Sequence, residues 1–420
     1  MIRAAALLTV LVSSATGGAD GPSYHTTISG DGRLVTFMSL ARNLVPGDRN
    51  GQYDVFVRDL DAGTTVVASR SSSGRGSQTA NGRSSWPVLS RDGRFVAFQS
   101  FASDLVEHDA NKRADVFVRD LRKGTTRVVS LAVRAGTRTG NHGSYDPSIS
   151  AGGRFVAFQS FASNLVRGDR NRRPDIFVRD LRTGVTRIAS SPGAGGQGAD
   201  RGSDNPSISA DGRFVAFESG ATNLVPGDRN SASDVFVRDL RGGATQLVSR
   251  AERGHTTGAG PSYMSSISAD GRFVAFASRA DDLAPGDRGG AEDVFVRDLR
   301  TGVTRLVSAR TSAARVAAGR ARTIYPSISA DGRLVAFHSD ASDLVAGDSN
   351  DAGDVFVRDL ATGTTRLVSR DGAGDAGANG YSGGPSIAAD GSFVAFASVA
   401  TDLVEGDTNR YADIFRSALR

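Results

Sequence analysis

Cysteine is absent from the 420 residues, which excludes a disulfide framework, thiolate metal sites and a cysteine nucleophile. It does not exclude export, because a chain of this length buries a core without staples. Lysine is nearly missing: Lys112 and Lys123 are the only two among fifty basic residues, the rest being arginine. Tryptophan occurs once, at Trp86, just before Pro87-Val-Leu-Ser90, where packing is the expected role. No apolar run approaches the roughly 20 residues needed to cross a bilayer. No window sustains a 3.6-residue apolar period over three turns, so helices are not expected. Phosphate loops, dinucleotide fingerprints and the His-Glu-x-x-His zinc motif are all missing.

Glycine, by contrast, is abundant. Gly (51) and Pro (12) together make 63 of 420 residues, about 15%, below the share of low-complexity chains and consistent with many turns. The net charge is +5, but the arginines are scattered and mostly adjoin aspartates. With no basic stripe, nucleic acid is not an expected partner.

The length alone would suggest two or three domains, but an internal repeat overrules it. Asp-Gly-Arg-Phe/Leu-Val or a close variant recurs with its third residue at Arg33, Arg94, Arg154, Arg213, Arg272, Arg333 and Ser392. The spacing is always 59 to 61 residues. The fourth copy displays four short segments: Pro206-Ser-Ile-Ser209, Phe214-Val-Ala-Phe-Glu-Ser219, Asp234-Val-Phe-Val-Arg-Asp-Leu240 and Thr245-Gln-Leu-Val-Ser249. Their Val, Phe, Ile and Thr content reads as strand. Asp211-Gly212 and Gly242-Gly243 supply hairpin turns between them. Four antiparallel strands repeated seven times predict an all-β, seven-bladed β-propeller.

At this point the residues resemble a known family. Pro206-Ser-Ile-Ser-Ala-Asp-Gly-Arg-Phe-Val-Ala-Phe217 is similar to the PD40, TolB-like version of the WD40-type propeller repeat, and the likeness runs the length of the chain. The resemblance implies the repeat fold and favours a secreted, periplasmic or cell-envelope protein. It implies no particular activity.

The last copy ends soon after Asp413-Ile-Phe415 and lacks a fourth strand. Two readings of residues 1–19 follow. Thr9-Val-Leu-Val-Ser13 matches Thr304-Arg-Leu-Val-Ser308 and can supply the missing strand, which would remove free sheet edges. Alternatively, Met1-Ile-Arg3, the apolar Ala4–Val12 and the small residues Ser13–Ala19 form a short signal peptide. Residues 20–420 are then one propeller domain, expected to be monomeric.

Alternating strand direction puts the tight turns on one face of the disc and the long connections on the other, where binding residues belong. The second-to-third strand loop carries Gly-Asp-x-Asn-x-x-x-Asp. Its polar positions are Asp48, Asn50 and Asp54; Asp109, Asn111 and Asp115; Asp169, Asn171 and Asp175; and Asp228, Asn230 and Asp234. They continue as Asp287 and Asp293, with Gly289 breaking the pattern, then Asp348, Asn350 and Asp354, and Asp407, Asn409 and Asp413. Hard oxygens at alternate positions suit Ca²⁺, with Asn43, Asp104, Asn164, Asn223, Asp282, Asp343 and Asp402 as further ligands. Asx turns that only shape the loop are the competing reading. The loop has neither the twelfth-position Glu nor the sixth Gly of an EF-hand.

Val-Arg-Asp-Leu recurs at Arg58-Asp59, Arg119-Asp120, Arg179-Asp180, Arg238-Asp239, Arg297-Asp298 and Arg358-Asp359. Neighbouring strand residues face opposite ways, so each charge is expected to pair with another strand or blade. His25, His108, His142, His255 and His338 occupy no repeated position. Gly380-Tyr-Ser-Gly-Gly384 matches Gly-x-Ser-x-Gly but lacks the strand before it and helix after it that a nucleophile elbow needs. With no convergent catalytic set visible, the expected function is a non-enzymatic binding or scaffold protein. Its ligand, a protein or an envelope glycan, would sit on the long-loop face, with calcium in the loops. The alternative is a propeller enzyme, a hydrolase or polysaccharide lyase, built from unlike residues meeting at the channel mouth.

Overall fold

The computed structural model describes residues 9–15, 18–72, 79–107, 109, 111–133, 138–193, 197–228, 230–252, 256–287, 291–309, 322–346, 348–374 and 376–419. His108, His255, Gly289 and the first eight residues lie outside them. Seven four-stranded antiparallel sheets form the described structure, and it contains no helix. Blade 1 comprises Ser23–Ile28, Leu34–Ser39, Asp54–Asp59 and Thr64–Val67, ordered from the innermost strand outward. Blades 2 to 6 repeat this order, and neighbouring inner strands lie side by side around the central axis.

Blade 7 has Ser382–Ile387, Phe393–Ser398 and Asp413–Ala418 from the C-terminal end. Its outer strand is Thr9–Leu11, with Thr9 opposite Ser417 and Leu11 opposite Phe415. The N-terminal segment therefore closes the ring.

The repeat is legible in the core. In each blade a second-strand Phe stacks on a third-strand Phe at 5.8–6.0 Å between centroids, as Phe37 does on Phe56 and Phe217 on Phe236. These rings are fully buried, and truncating one to Ala would cost about 3–5 kcal/mol. The Asp-Gly turn needs its glycine twice over. Gly212 has φ +74°, and a Cβ there would stand 2.1 Å from the Phe155 ring of the preceding blade.

Blades are also stitched by hydrogen bonds. The Ile208 amide donates to the Ser148 hydroxyl at 3.1 Å, and Ile267, Ile328 and Ile387 bond likewise to Ser207, Ser266 and Ser327. The turn-face Asp of the third strand takes a two-pronged bond from the Arg of the Asp-Gly-Arg turn in its own blade. Arg213 Nε and Nη2 reach Asp239 at 3.1 and 2.7 Å. The neighbouring Arg238 instead donates to Thr245 and to the Ser191 and Gly193 carbonyls of blade 3. The two adjacent charges thus have separate partners, as alternation requires.

The blade-4 strands differ from expectation at their ends. The inner strand is Ser203–Ile208 rather than Pro206–Ser209, because an extra residue is accommodated before the proline. The third and outer strands stop earlier, at Asp239 and Leu247.

Candidate active site in the central channel

Each inner strand contains a bulge at its third residue. In blade 1, His25 and Thr26 together oppose Phe37, which bends the strand and re-aims its side chains. The bulged residue has a left-handed backbone in every blade: His25 (φ 48°), Trp86 (52°), Asp146 (48°), Asn205 (47°), Met264 (54°), Tyr325 (55°) and Gly384 (60°). Six are not glycine, and each such residue costs on the order of 1–3 kcal/mol. The position is also the one where an otherwise near-identical repeat carries seven different residues. Strain maintained where the repeat is abandoned makes this ring of inner-strand residues the candidate site.

Second-strand residues tether the ring across blade boundaries. Gln99 of blade 2 accepts a bond from the Asp146 amide of blade 3 at 2.9 Å. Gln159 of blade 3 donates to the Asp204 carboxylate of blade 4. Glu218 of blade 4 accepts from the Met264 amide of blade 5 at 3.0 Å, and its other oxygen accepts from the Asn205 side chain. His338 bonds the Ser382 carbonyl of blade 7 through Nδ1 at 3.0 Å and meets Asp340 through Nε2 at 3.0 Å.

These contacts bring three carboxyl groups into mutual influence. Burial, with the charges of Asp204 and Asp146, raises Glu218 to about 7. Burial, with the Asp204 charge, raises Asp146 to about 6. Burial also raises Asp204 itself. Across the ring, burial and then Arg83 lower His25 to about 4, so its imidazole is neutral at physiological pH. His25 stacks against Trp86, with centroids 3.9 Å apart. Trp86 lies within its strand, exposed, rather than before it.

Above the ring, on the long-loop face, the mouth has two characters. Phe101, Phe161 and Tyr381 are exposed there, Phe161 against His142 and Tyr145 and Tyr381 against His338. Between blades 5 and 6, Glu292 accepts from Arg279 Nη2 at 2.8 Å, from Arg322 Nε at 3.2 Å and from the Tyr263 hydroxyl. Both arginine side chains remain more than half exposed.

The loop aspartates have a different setting. In blade 1 Asn50 Oδ1 accepts the Gln52 amide at 2.7 Å, an Asx turn, while Asn50 Nδ2 donates to Asp54 at 2.6 Å and to the Ala80 carbonyl at 2.8 Å. Asp54 also takes the Ser69 hydroxyl at 2.7 Å. The Asn–Asp bond recurs at Asn111–Asp115, Asn171–Asp175, Asn350–Asp354 and Asn409–Asp413. Asn230 keeps its linker bond, to the Gly258 carbonyl, and Asp234 and Asp293 keep their serine partners. The upstream side chains Asn43, Asp104, Asn164, Asn223, Asp282 and Asp402 accept linker amides at 2.9–3.2 Å. Asp48 bonds Thr79 at 3.2 Å.

His142 is exposed beside Phe161. Ser382 of Gly380-Tyr-Ser-Gly-Gly384 is buried at the start of an inner strand, bonded to Ser398, with no helix following. Clefts of about 290, 420 and 470 Å³ open between blades 4 to 7 on the opposite, tight-turn face. They are lined by the repeated turn residues and belong to the architecture.

The channel ring was missed from the sequence because its residues precede Pro206 and its equivalents, where the expected strand began. The available signal was variability: one position of the repeat differs in every copy.

No family model and no curated protein matches the chain in sequence. Solved structures match its fold. An oligogalacturonate lyase from Vibrio parahaemolyticus superimposes with a TM-score of 0.55 at 12% identity, over 99% of this chain and 98% of its own. A second oligogalacturonate lyase, in complex with manganese, gives 0.54 at 14%, over 99% and 97%. A prolyl endopeptidase gives 0.53 at 13%, over 94% of this chain and half of its own. TolB structures also match, with TM-scores of 0.40. These identities establish shared fold. The expectation of a non-enzymatic binding or scaffold protein is corrected to this extent: the two structures matched over nearly their full length are oligogalacturonate lyases, which favours the enzyme alternative. That expectation rested on seeing no convergent set of polar residues, whereas the bulged inner strands place Asn205 against Glu218 and Asp204 against Gln159.

Proposed function

We propose that this protein is a polysaccharide-cleaving enzyme whose composite site is the channel ring, with Glu218 and Asp146 as its acid–base pair. The observation that carries the reading is the pair of carboxyl groups raised to about 7 and about 6 within that non-repeating ring. Carboxyl groups raised towards neutrality are suited to donate a proton to a leaving oxygen or to accept one. Asn205 and the Met264 amide fix the Glu218 carboxylate, and Gln99 fixes the backbone that carries Asp146.

The mouth supports a glycan as substrate. Aromatic rings suit the apolar faces of sugars, and a few placed polar groups orient the chain. Arg279 and Arg322, braced by Glu292, favour a glycan bearing carboxylates, as oligogalacturonate does. Export to the envelope or medium, where such polymers lie, belongs to the same proposal.

A manganese-bound lyase shares the fold. Among the described residues of this chain, however, no three His, Cys, Asp or Glu side chains stand together at metal-holding spacing. The channel residues as placed do not fit such an ion, and no step is derived through one. Calcium is proposed for the loops alone, as a structural ion.

The test is incubation with uronate-rich and neutral oligosaccharides. Reducing ends and the ultraviolet absorbance of an unsaturated product are followed in parallel. New reducing ends support the reading, and the absorbance separates elimination from hydrolysis. No cleavage of any acidic or neutral glycan would overturn it.

A further inference from the structure

The bulge of blade 2 holds the one tryptophan of the chain. Trp86 keeps a left-handed backbone (φ 52°) at a position that Gly384 fills in blade 7, where glycine carries no such cost. Its side chain is nevertheless exposed. A large apolar residue held both strained and open to solvent is not what folding alone selects. The His25 ring lies against it, with centroids 3.9 Å apart.

A closed circuit of contacts joins these rings to a cation. Arg83 stands just before the inner strand Ser84–Leu89 that carries Trp86. The Ser84 amide donates to the Tyr53 carbonyl of blade 1 at 2.8 Å, and the exposed Arg83 guanidinium lies 5.4 Å from the centre of the Tyr53 ring. Tyr53 meets Tyr24 at 6.4 Å, and Tyr24 precedes His25 on the inner strand of blade 1. Exposed Phe101 donates its amide to the Arg83 carbonyl at 2.9 Å. Arg279 and Arg322 share Glu292, but among the described residues no carboxylate pairs with Arg83.

We propose that the boundary of blades 1 and 2 is a second subsite for a uronate residue of an oligosaccharide, with the sugar ring laid on Trp86 and its carboxylate held by Arg83. The inference rests on the glycan reading of the channel. A guanidinium offers a planar fork that a carboxylate fills two-pronged, and the Tyr53 ring steadies it by cation–π attraction. Trp86 supplies the broad aromatic surface that the apolar face of a sugar needs. Arg279 and Arg322 lie between blades 5 and 6, on the far side of the ring. A glycan that engages both places therefore carries more than one uronate and passes over the channel mouth.

Because Trp86 is the only tryptophan, its fluorescence reads this subsite alone. The experiment titrates the native protein, Arg83→Gln and Arg83→Lys with oligogalacturonate and with a neutral galactose oligosaccharide of equal length, and measures cleavage in the same samples. The expected result is a saturable tryptophan response to oligogalacturonate, with Kd raised about tenfold to a hundredfold in Arg83→Gln and less in Arg83→Lys, which keeps the charge but not the fork. Calorimetry on Trp86→Gly should show weaker binding of the same ligand. An unchanged tryptophan signal, or equal Kd for native protein and Arg83→Gln, would overturn the subsite. A native response as strong to the neutral sugar would overturn its assignment to a uronate. A saturable response without cleavage would sustain the subsite and count against the enzymatic reading, whereas cleavage with a silent Trp86 would overturn the subsite alone.

Discussion

The hydroxyl of Ser13 donates to the carboxylate of Asp413 at 2.6 Å, across 400 residues of sequence. The Ile414 amide donates back to the same hydroxyl at 2.9 Å. Six other blades make this contact within one copy, as Ser69 does with Asp54. In blade 7 it is made by the two ends of the chain, so the hydrogen bond that anchors every outer strand also closes the ring.

Replacing Ser13 with Ala therefore leaves a fully buried carboxylate one donor short. A loss of about 1–3 kcal/mol is expected, read as a lower denaturation midpoint. Ser69→Ala in blade 1 should cost a similar amount. The mature chain should retain Thr9–Leu11, and mass spectrometry of the purified protein should find its N-terminus at or before Thr9. A chain beginning after Ser13 would contradict ring closure by this strand.

Stability should fall as pH rises through neutrality. Burial raises Asp54 to about 7, Asp115 to about 8 and Asp234 to about 7. Their unfolded values are near 3.9. A carboxyl group with a raised folded value stabilises fully below its unfolded value, and that contribution is lost as pH climbs through the folded one. At the acid end, bonding to Arg33 and Arg333 holds Asp59 and Asp359 at about 2, and their contribution disappears as pH falls from about 4 towards 2. Melting in EDTA should give a higher midpoint near pH 5 than near pH 9. The reverse order would show that these aspartates are ionised in the folded protein.

The rate of glycan cleavage should trace a bell against pH, with limbs near 6 and 7 that belong to the Asp146–Glu218 pair jointly. Asp146→Asn should abolish one limb. A profile flat from pH 5 to 9 would remove both groups from the chemistry.

Strain in the ring has a separate signature. Tyr325 holds φ at 55° and is partly exposed, and Gly384 occupies the same place in blade 7. Tyr325→Gly should raise the denaturation midpoint by relieving a left-handed residue, a gain of about 1 kcal/mol, while weakening substrate binding. A lower midpoint with unchanged KM would count against a functional role for that position.

The architecture was readable in the sequence because seven near-copies of Asp-Gly-Arg-Phe-Val average out local ambiguity. The Phe pairs, the turns and the closing strand follow from the same repetition. The Asx turn at Asn50 was readable too, since the amide two residues on is within reach of its side chain. The channel site was not readable by the same route. Asp146 lies in blade 3 and Asn205 and Glu218 in blade 4, on strands that share no motif, and the bulges turn Asp146 and Asn205 from the regular strand path. The arginine pair at Glu292 was hidden likewise, because Arg279 and Arg322 are 43 residues apart. Repetition exposes what every blade does; a composite site consists of what single blades do differently.

The central claim is that chemistry resides in the non-repeating ring. It is tested most directly by the initial rate of oligosaccharide cleavage at neutral pH for the native protein and for Glu218→Gln. The account predicts a rate lowered by about 10²–10⁴-fold, with the thermal midpoint held close to native. Equal rates for the two proteins would contradict it.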